Sequence, residues 1–281
     1  MNLELANPVM NAACSVAKTI DDITALSQTS IGAVTIGSIT PEPREGNPEP
    51  RWYHSDSFAL NSFGMPNEGL TFYKDNLPQM IDIIHSSGKK ANLSIAGFSI
   101  DDYKTLAMMA DQIEIDSLEL NLGCPNVQID GKQKPIASFD QEYMKAVILA
   151  VSEVSSKQLF VKLSPYSNPA ELQQVANLLS TLPITAVVTS NTFANGYFEQ
   201  DGTSVVGAGF GGVSSKALLP IGLGQVKQFR AALPPHIAVI GVGGVTTPHD
   251  VSQYLSAGAI AVQVASLIVE EGHAALDGVT A

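Results

Sequence analysis

The sequence predicts a single α/β domain, a (β/α)8 (TIM) barrel over residues 1–281 with loop insertions on its C-terminal face. Three observations lead there. Short β-branched runs alternate with amphipathic helical stretches. The strands are apolar throughout, as in a parallel sheet covered by helices. Polar or glycine residues suited to a site follow nearly every strand, at Gly37, Cys124, Lys162, Asn191, Gly243 and Ser266. An open doubly wound sheet would gather such residues at one switch point, whereas a barrel spreads them around its rim.

In chain order, strands are expected over 33–36, 91–95, 117–122, 159–163, 185–189, 237–241 and 260–265, and an eighth, less regular one within 58–70 or 204–212. Helical patterns fall at 20–28, 101–113, 140–154, 169–180, 221–232 and 248–256. Several begin on recognisable signals: Asp101 before Tyr103, Asn168-Pro169 with Glu171, and Thr247-Pro248. Three insertions interrupt the alternation. Residues 40–70 are rich in Pro, Gly and Asn, 127–138 hold Asp130-Gly131-Lys132, and 193–215 are rich in glycine. Long loops in a compact domain are usually functional, and on a barrel these would cap the catalytic face.

Composition narrows the function. Hydrophobic residues make up 45% and charged residues only 15%, so a large core is available. The net charge is −12 with no Lys/Arg cluster. That argues against nucleic acid or an anionic membrane as partner, because both need a concentrated basic face. Two cysteines, Cys14 and Cys124, with no Cys-x-x-Cys spacing, exclude a disulfide framework. Five histidines without triad or metal spacing lead to the expectation of no metal. The start of the chain does not read as a signal peptide, and the longest strongly apolar run, 259–269, is short of a membrane span. A cytoplasmic protein is expected.

The most informative stretch is Ser117-Leu-Glu-Leu-Asn-Leu-Gly-Cys-Pro-Asn126. Alternating Leu118, Leu120 and Leu122 read as a strand ending in a turn that presents Asn121, Cys124 and Asn126 together. Two amides flanking a thiol suit a flat polar ligand beside a proton-transfer group; a buried free cysteine in a turn is the other reading. Gly241-Val-Gly-Gly244, with Ala265-Ser266 after the last strand, suits either a phosphate site or a tight turn. Lys162 lies in an apolar strand and must find an anion, from a structural ion pair or from a ligand. Asn61, Asn67, Asn121, Asn126 and Asn191 are ordinary turn residues singly but could together bind an imide edge, since each amide both donates and accepts. Gly207-x-Gly209-x-x-Gly212 lacks the helix and the acidic residue of a Rossmann fingerprint and reads as a flexible insertion.

Together these segments resemble the class 1 dihydroorotate dehydrogenases along essentially the whole chain. The resemblance rests on Ala6-Asn-Pro-Val-Met-Asn11, Arg44-Glu-Gly-Asn-Pro48 with Pro50-Arg51, Asn61-Ser-Phe-Gly-Met-Pro-Asn67, Asn121-Leu-Gly-Cys-Pro-Asn126, Val161-Lys-Leu163, Ser190-Asn-Thr192, Gly209-Phe-Gly-Gly212 and Gly243-Gly244. The Asn61 motif is similar to that of the soluble, stand-alone class 1A enzymes. The resemblance implies FMN-dependent oxidation of dihydroorotate to orotate in pyrimidine biosynthesis, fumarate as electron acceptor, and a homodimer. It implies Cys124 as the base, and Asn61, Gly64, Met65, Asn121, Asn126, Asn191 and Thr192 around the pyrimidine. For FMN it implies Ala12, Ala13, Gly37, Ser38, Asn121, Lys162 and Gly212, with Gly243, Gly244, Ala265 and Ser266 at the phosphate end.

The chain also departs from the pattern. A family lysine that touches flavin and substrate is Gly37 here, the flavin-facing stretch is Asn11-Ala-Ala-Cys14, and a Gly-Gly pair is Ser214-Ser215. The missing lysine leads to the expectation of weak orotate binding, improved by Gly37→Lys if the backbone tolerates a side chain. It leaves two alternatives open: a paralogue acting on another reduced pyrimidine or enone-like compound, and a non-catalytic flavin-binding barrel.

Overall fold

A computed structural model describes residues 3–129 and 132–280. Eight parallel strands close into a barrel. They are β1 (Val9–Asn11), β2 (Ala33–Ile39), β3 (Lys90–Ile95), β4 (Ser117–Asn121), β5 (Gln158–Lys162), β6 (Ala186–Val188), β7 (Ala238–Val242) and β8 (Ala261–Val264). Each pairs with the next, and β8 closes on β1 through Val9–Val262, Met10–Gln263 and Asn11–Val264. The connecting helices are α1 (Ile20–Ser27), α2 (Gly69–Ser86), α3 (Ile100–Asp111), α4 (Gln141–Ser152), α5 (Pro169–Leu179), α6 (Leu219–Ala232) and α7 (Pro248–Ala257), with α8 (Ser266–Glu271) after the last strand. Among the described residues no helix is long and apolar enough to cross a membrane.

The eighth strand is not where the sequence placed it. It is Val9–Asn11, only three residues long and therefore too short to show a period. The two segments expected to supply it instead pair with each other: Ala59–Asn61 lies antiparallel to Gly211–Ser214. With Trp52–His54 and Phe193–Gly196 they make a four-stranded sheet separate from the barrel. The glycine-rich segment expected as a flexible insertion is thus built into this sheet, and Gly207 N–H donates to Pro50 O at 2.7 Å. Helix α2, at 18 residues, has no counterpart among the expected helices. Its buried Tyr73, Leu77, Met80, Ile81 and Ile84 keep the helical spacing, but the run follows a Pro/Gly-rich loop and carries Pro78 inside it.

Local chemistry sets the helix starts. Thr19 with Asp22, Ser99 with Asp102 and Thr247 with Asp250 each form a reciprocal capping box. Ser99 is thus the cap of α3, which begins at Ile100 rather than at the expected Asp101. Asn168 caps α5, with Pro169 in its first turn as expected.

Strand alternation divides the core into two layers. Outward residues such as Ile36, Leu93, Leu118, Leu120, Val161 and Val239 meet Ile23, Leu77, Leu106, Val147, Val175 and Phe229 of the helices. Inside the barrel, Met10, Ala33, Phe160, Ala186, Ala238, Ile240 and Ala261 form a small apolar cluster. The rest of the interior is polar: Thr35, Asn92, Ser94, Glu119, Lys162 and Gln263 are all buried. The expectation of wholly apolar strands fails on this inward face. Side chains there reach one another across the barrel and satisfy their own hydrogen bonds. Ser117 Oγ donates to Asn92 Oδ1 at 2.7 Å, and Asn92 Nδ2 to Thr35 Oγ1 at 3.2 Å.

One side chain reinforces the barrel closure between β1 and β2. The strands share a single register pair, Met10–Ala33. Asn11 extends the ladder: its Oδ1 accepts from Thr35 N–H and its Nδ2 donates to Thr35 O, both at 2.8 Å. Asn11→Ala leaves both backbone groups unpaired in a buried seam. A loss of about 2–6 kcal/mol is expected, as about 1–3 kcal/mol attends each of the two stranded polar groups. In urea unfolding, the midpoint should fall while the slope stays constant.

Candidate active site

The C-terminal ends of the strands and the four-stranded cap sheet enclose a cavity of about 1000 Å³, counted to its open mouth. Ala12, Ala13, Ser38, Asn61, Gly64, Met65, Asn121, Cys124, Asn126, Lys162, Asn191, Thr192, Gly243, Gly244, Ala265 and Ser266 all line it. Residues scattered over more than 250 positions of sequence therefore meet in one place. They do so because strand ends of a closed barrel share a rim.

A buried carboxylate fixes the polarity of the cavity floor. Glu119 is fully buried, with Lys162 Nζ 3.9 Å from its Oε1. An ionised carboxylate only accepts hydrogen bonds. Gln263 Nε2 donates to its Oε2 at 2.6 Å and Ser94 Oγ to its Oε1 at 3.0 Å. With its proton committed to Glu119, Ser94 accepts from Ser38 at 2.8 Å, and Ser38 in turn accepts from Asn121 Nδ2 at 2.8 Å. The Asn121 amide is thereby held with its nitrogen toward Ser38, and its buried Oδ1 has no partner within the protein. Lys162 Nζ donates to Gln263 Oε1 at 2.9 Å. Of the two readings of Lys162, the structural ion pair is present, and the residue also faces the cavity.

The asparagines of the cap are locked in the same way. Asn126 Nδ2 donates to both O and Oδ1 of Asn61, each at 2.9 Å. Asn61 Nδ2 donates to Gly212 O at 3.1 Å. Asn47 Nδ2 holds the Asn126 carbonyl at 2.9 Å. Asn191 Oδ1 accepts from Thr192 N–H at 2.7 Å. Thr192 Oγ1 and Ser214 Oγ are buried without a partner in the protein, and both residues line the cavity. Asn67 does not join this group; it ties Thr40 and Gly69 together behind it.

Cys124 sits half-buried in the turn after β4. Burial pushes its thiol above the ordinary value, while the Asn126 N–H and the charges of Lys18, Arg44 and Lys162 pull it back in part. Cys14, also on the cavity wall, is raised by burial as well.

Two of the expected residues lie outside the cavity. Gly212 is behind it in the cap sheet, where it accepts from Asn61 and leaves room for Thr192; a Cβ would fall 1.8 Å from Thr192 Oγ1. Gly37 is the second. It has φ +107°, its N–H donates to Ala17 O at 3.0 Å, and a Cβ would lie 2.5 Å from Ser94 O. Asp130 and Gly131, expected in the loop over Cys124, lie outside the described residues. Sequence reasoning also missed residues that line the cavity: Lys18, Trp52, Phe63, Ser214 and Gln263. Lys18 carries no sequence signal because β1, the strand it follows, is only three residues long. Gln263 was legible as a polar residue in an apolar run.

The glycine pair after β7 matches the phosphate reading in shape. Gly243 and Gly244 both have positive φ, at +121° and +73°. A Cβ on Gly244 would strike Leu219 N at 2.6 Å, so only glycine leaves the backbone bare there.

Comparison with known proteins gives one family. The model for "Dihydroorotate dehydrogenase" matches residues 1–281. "Dihydroorotate dehydrogenase (fumarate)" of Lachancea kluyveri is 34% identical over 287 residues, covering 99% of this chain and 88% of the relative. "Dihydroorotate dehydrogenase A (fumarate)" of Lactococcus lactis subsp. lactis is 33% identical over 286 residues, covering 98% and 89%. The crystal structure of DHODH in complex with ferulenol from Eimeria tenella superposes with a TM-score of 0.80 at 20% identity, covering 97% of this chain and 79% of that one, which supports the fold.

The geometry at Gly37 does not meet the condition, a backbone that tolerates a side chain, on which a gain from lysine there depended. Any side chain strains the positive φ and meets the Ser94 carbonyl. Gly37→Lys should cost about 1–3 kcal/mol or more, read as a fall in the thermal midpoint, and should weaken rather than strengthen ligand binding in a direct titration.

Proposed function

This chain belongs to the dihydroorotate dehydrogenase family, and on that premise we propose that it oxidises dihydroorotate to orotate, with FMN as cofactor and fumarate as acceptor. One observation carries the reading: a thiol, Cys124, stands on the same cavity as amides whose donors are already spoken for. The free acceptor at Asn121 Oδ1 suits the N–H groups of a pyrimidine edge.

The residues present fit FMN. Orphaned polar atoms of Asn121, Thr192 and Ser214, the bare backbone of Gly243-Gly244, and Ser266 lie along one cavity. Ser266 Oγ accepts from Ser215 N–H at 3.3 Å, in the segment where the family has two glycines. Ala12, Ala13, Ser38, Lys162 and Ala265 complete the wall. Bound there, FMN would supply the acceptor for the hydride from C6 of dihydroorotate and pass its electrons to fumarate.

The protein's own part is proton handling and positioning. The Cys124 thiolate takes the proton from C5 as the C5–C6 double bond forms. Lys162, balanced by Glu119 and held by Gln263, keeps a fixed positive charge on the cavity wall without a net charge inside the barrel. Trp52 and Phe63, stacked at 6.0 Å, give the mouth an apolar flank that limits water. The cytoplasmic homodimer that the resemblance implies belongs to the same reading.

The test is an absorption spectrum of the purified protein, followed by anaerobic dihydroorotate. A bleached flavin band is expected. A folded sample that takes up no FMN when reconstituted, or a loaded one that dihydroorotate leaves oxidised, would overturn the reading. Bleaching by a different dihydropyrimidine alone would reassign the substrate.

Cys124→Ala should retain FMN and slow flavin reduction by about 10²–10⁴-fold, the usual worth of a positioned base. Cys14→Ala should be far milder. Since burial raises the Cys124 thiol, the reactive thiolate is scarce at neutral pH. The rate of flavin reduction should therefore climb with pH past about 8.5, the ordinary thiol value, and this climb should vanish in Cys124→Ala.

A further inference from the structure

Cations near Cys124 differ in what already occupies them. Lys162 has Glu119 at 3.9 Å and Gln263 at 2.9 Å. Arg44 donates to the carbonyls of Gly64 and Gln128, both at 3.2 Å, and lies 4.9 Å over the Phe98 ring. Lys134 donates to Gly97 O at 2.8 Å and shares the same ring. Neither Arg44 nor Lys134 lines the cavity. Lys18 does.

Lys18 is held on the cavity wall from both ends. Its backbone N–H donates to Asp22 Oδ2 at 3.1 Å, as part of the cap of α1. Its Nζ donates to Pro66 O, in the loop that also brings Gly64 and Met65 to the cavity. An ammonium has three donors, so two remain. Asp22 does not take them. Its Oδ2 also accepts from Thr19 N–H at 3.0 Å, and its Oδ1 faces His273 at 3.7 Å. Among the described residues no carboxylate lies within ion-pair distance of the Lys18 ammonium. The cavity therefore carries one cation balanced within the barrel and one that is not.

We propose that Lys18 is the anion-binding residue of this site, receiving a carboxylate of the ligand on its two remaining N–H groups. The carboxylate's identity rests on the proposed dihydroorotate oxidation, where it is that of dihydroorotate and orotate. The unbalanced charge itself does not depend on that reading. Burial brings the ammonium down to about 8, a cost that an anion in contact would offset. Its charge also lowers both cavity thiols, Cys14 and Cys124, against the effect of their burial. It thus supplies, from the loop after β1, a positive charge that Gly37 cannot carry at the end of β2.

The test is calorimetric binding to the protein as purified, with Lys18→Met and Lys18→Arg beside the parent. The probes are orotate, fumarate and uracil, the last lacking a carboxylate. Lys18→Met should weaken orotate by about 10–150-fold, the worth of a hydrogen bond to a charged group, and weaken fumarate too. Uracil affinity and flavin content should stay unchanged. Lys18→Arg should restore most of the orotate affinity. If Lys18 only ties two loops together, Lys18→Met will weaken uracil as much as orotate, and the proposal falls. It falls equally if Lys18→Met binds orotate as tightly as the parent, or if the parent binds neither carboxylate. Lysine-dependent anion binding without flavin reduction by dihydroorotate would sustain the anion site and overturn the proposed activity instead.

Discussion

A carboxylate inside a barrel organises this protein. Glu119 is completely buried and accepts from Ser94 and Gln263 beside the Lys162 charge. Two buried charges cost several kcal/mol each to desolvate, and their attraction offsets this only when the remaining hydrogen bonds are made. Here Glu119 accepts from the inward faces of β3 and β8, and Lys162 on β5 gives one hydrogen bond to the same Gln263. The consequence reaches the surface of the cavity, because each proton in the series can point only one way. Asn121 ends the series with its amide orientation already chosen.

The cap sheet repeats that logic with neutral groups. Asn126, Asn61 and Asn47 donate to carbonyls or to one another, and Gly212 contributes the carbonyl at the end. Cavity-facing amides are thus preorganised from two directions, by the barrel below and by the antiparallel sheet above. Such preorganisation matters for a small planar ligand, since the polar groups need no reordering on binding. The exposed aromatic residues Tyr197 and Phe210 lie in the same insertion, outside the cavity.

Charge placement is the second constraint on the cavity. A positive side chain at the end of β2 is barred by the backbone, since Gly37 adopts positive φ against the Ser94 carbonyl. Lys18 brings a positive charge to the cavity from a different loop, the one that follows β1.

The sequence by itself determined the fold class, seven of the barrel strands, six of the helices and many of the residues that line the cavity. Alternation of apolar runs with helical patterns is local information, and so is the strand-turn placement of Asn121, Cys124 and Asn126. The resemblance carried Ala12, Ala13, Asn61 and Thr192, which no local pattern would have singled out. Tertiary structure alone decided the rest. Val9–Asn11 is a strand because β2 and β8 flank it, and three residues cannot announce a period on their own. The segments 58–70 and 204–212 become cap strands because they find each other across about 150 residues. Lys162 has an internal partner because inward positions of β4 and β5 adjoin, a distance the linear pattern does not encode. Lys18 belongs to the site only once β1 has been placed in the barrel, since it is the strand that carries the following loop to the rim.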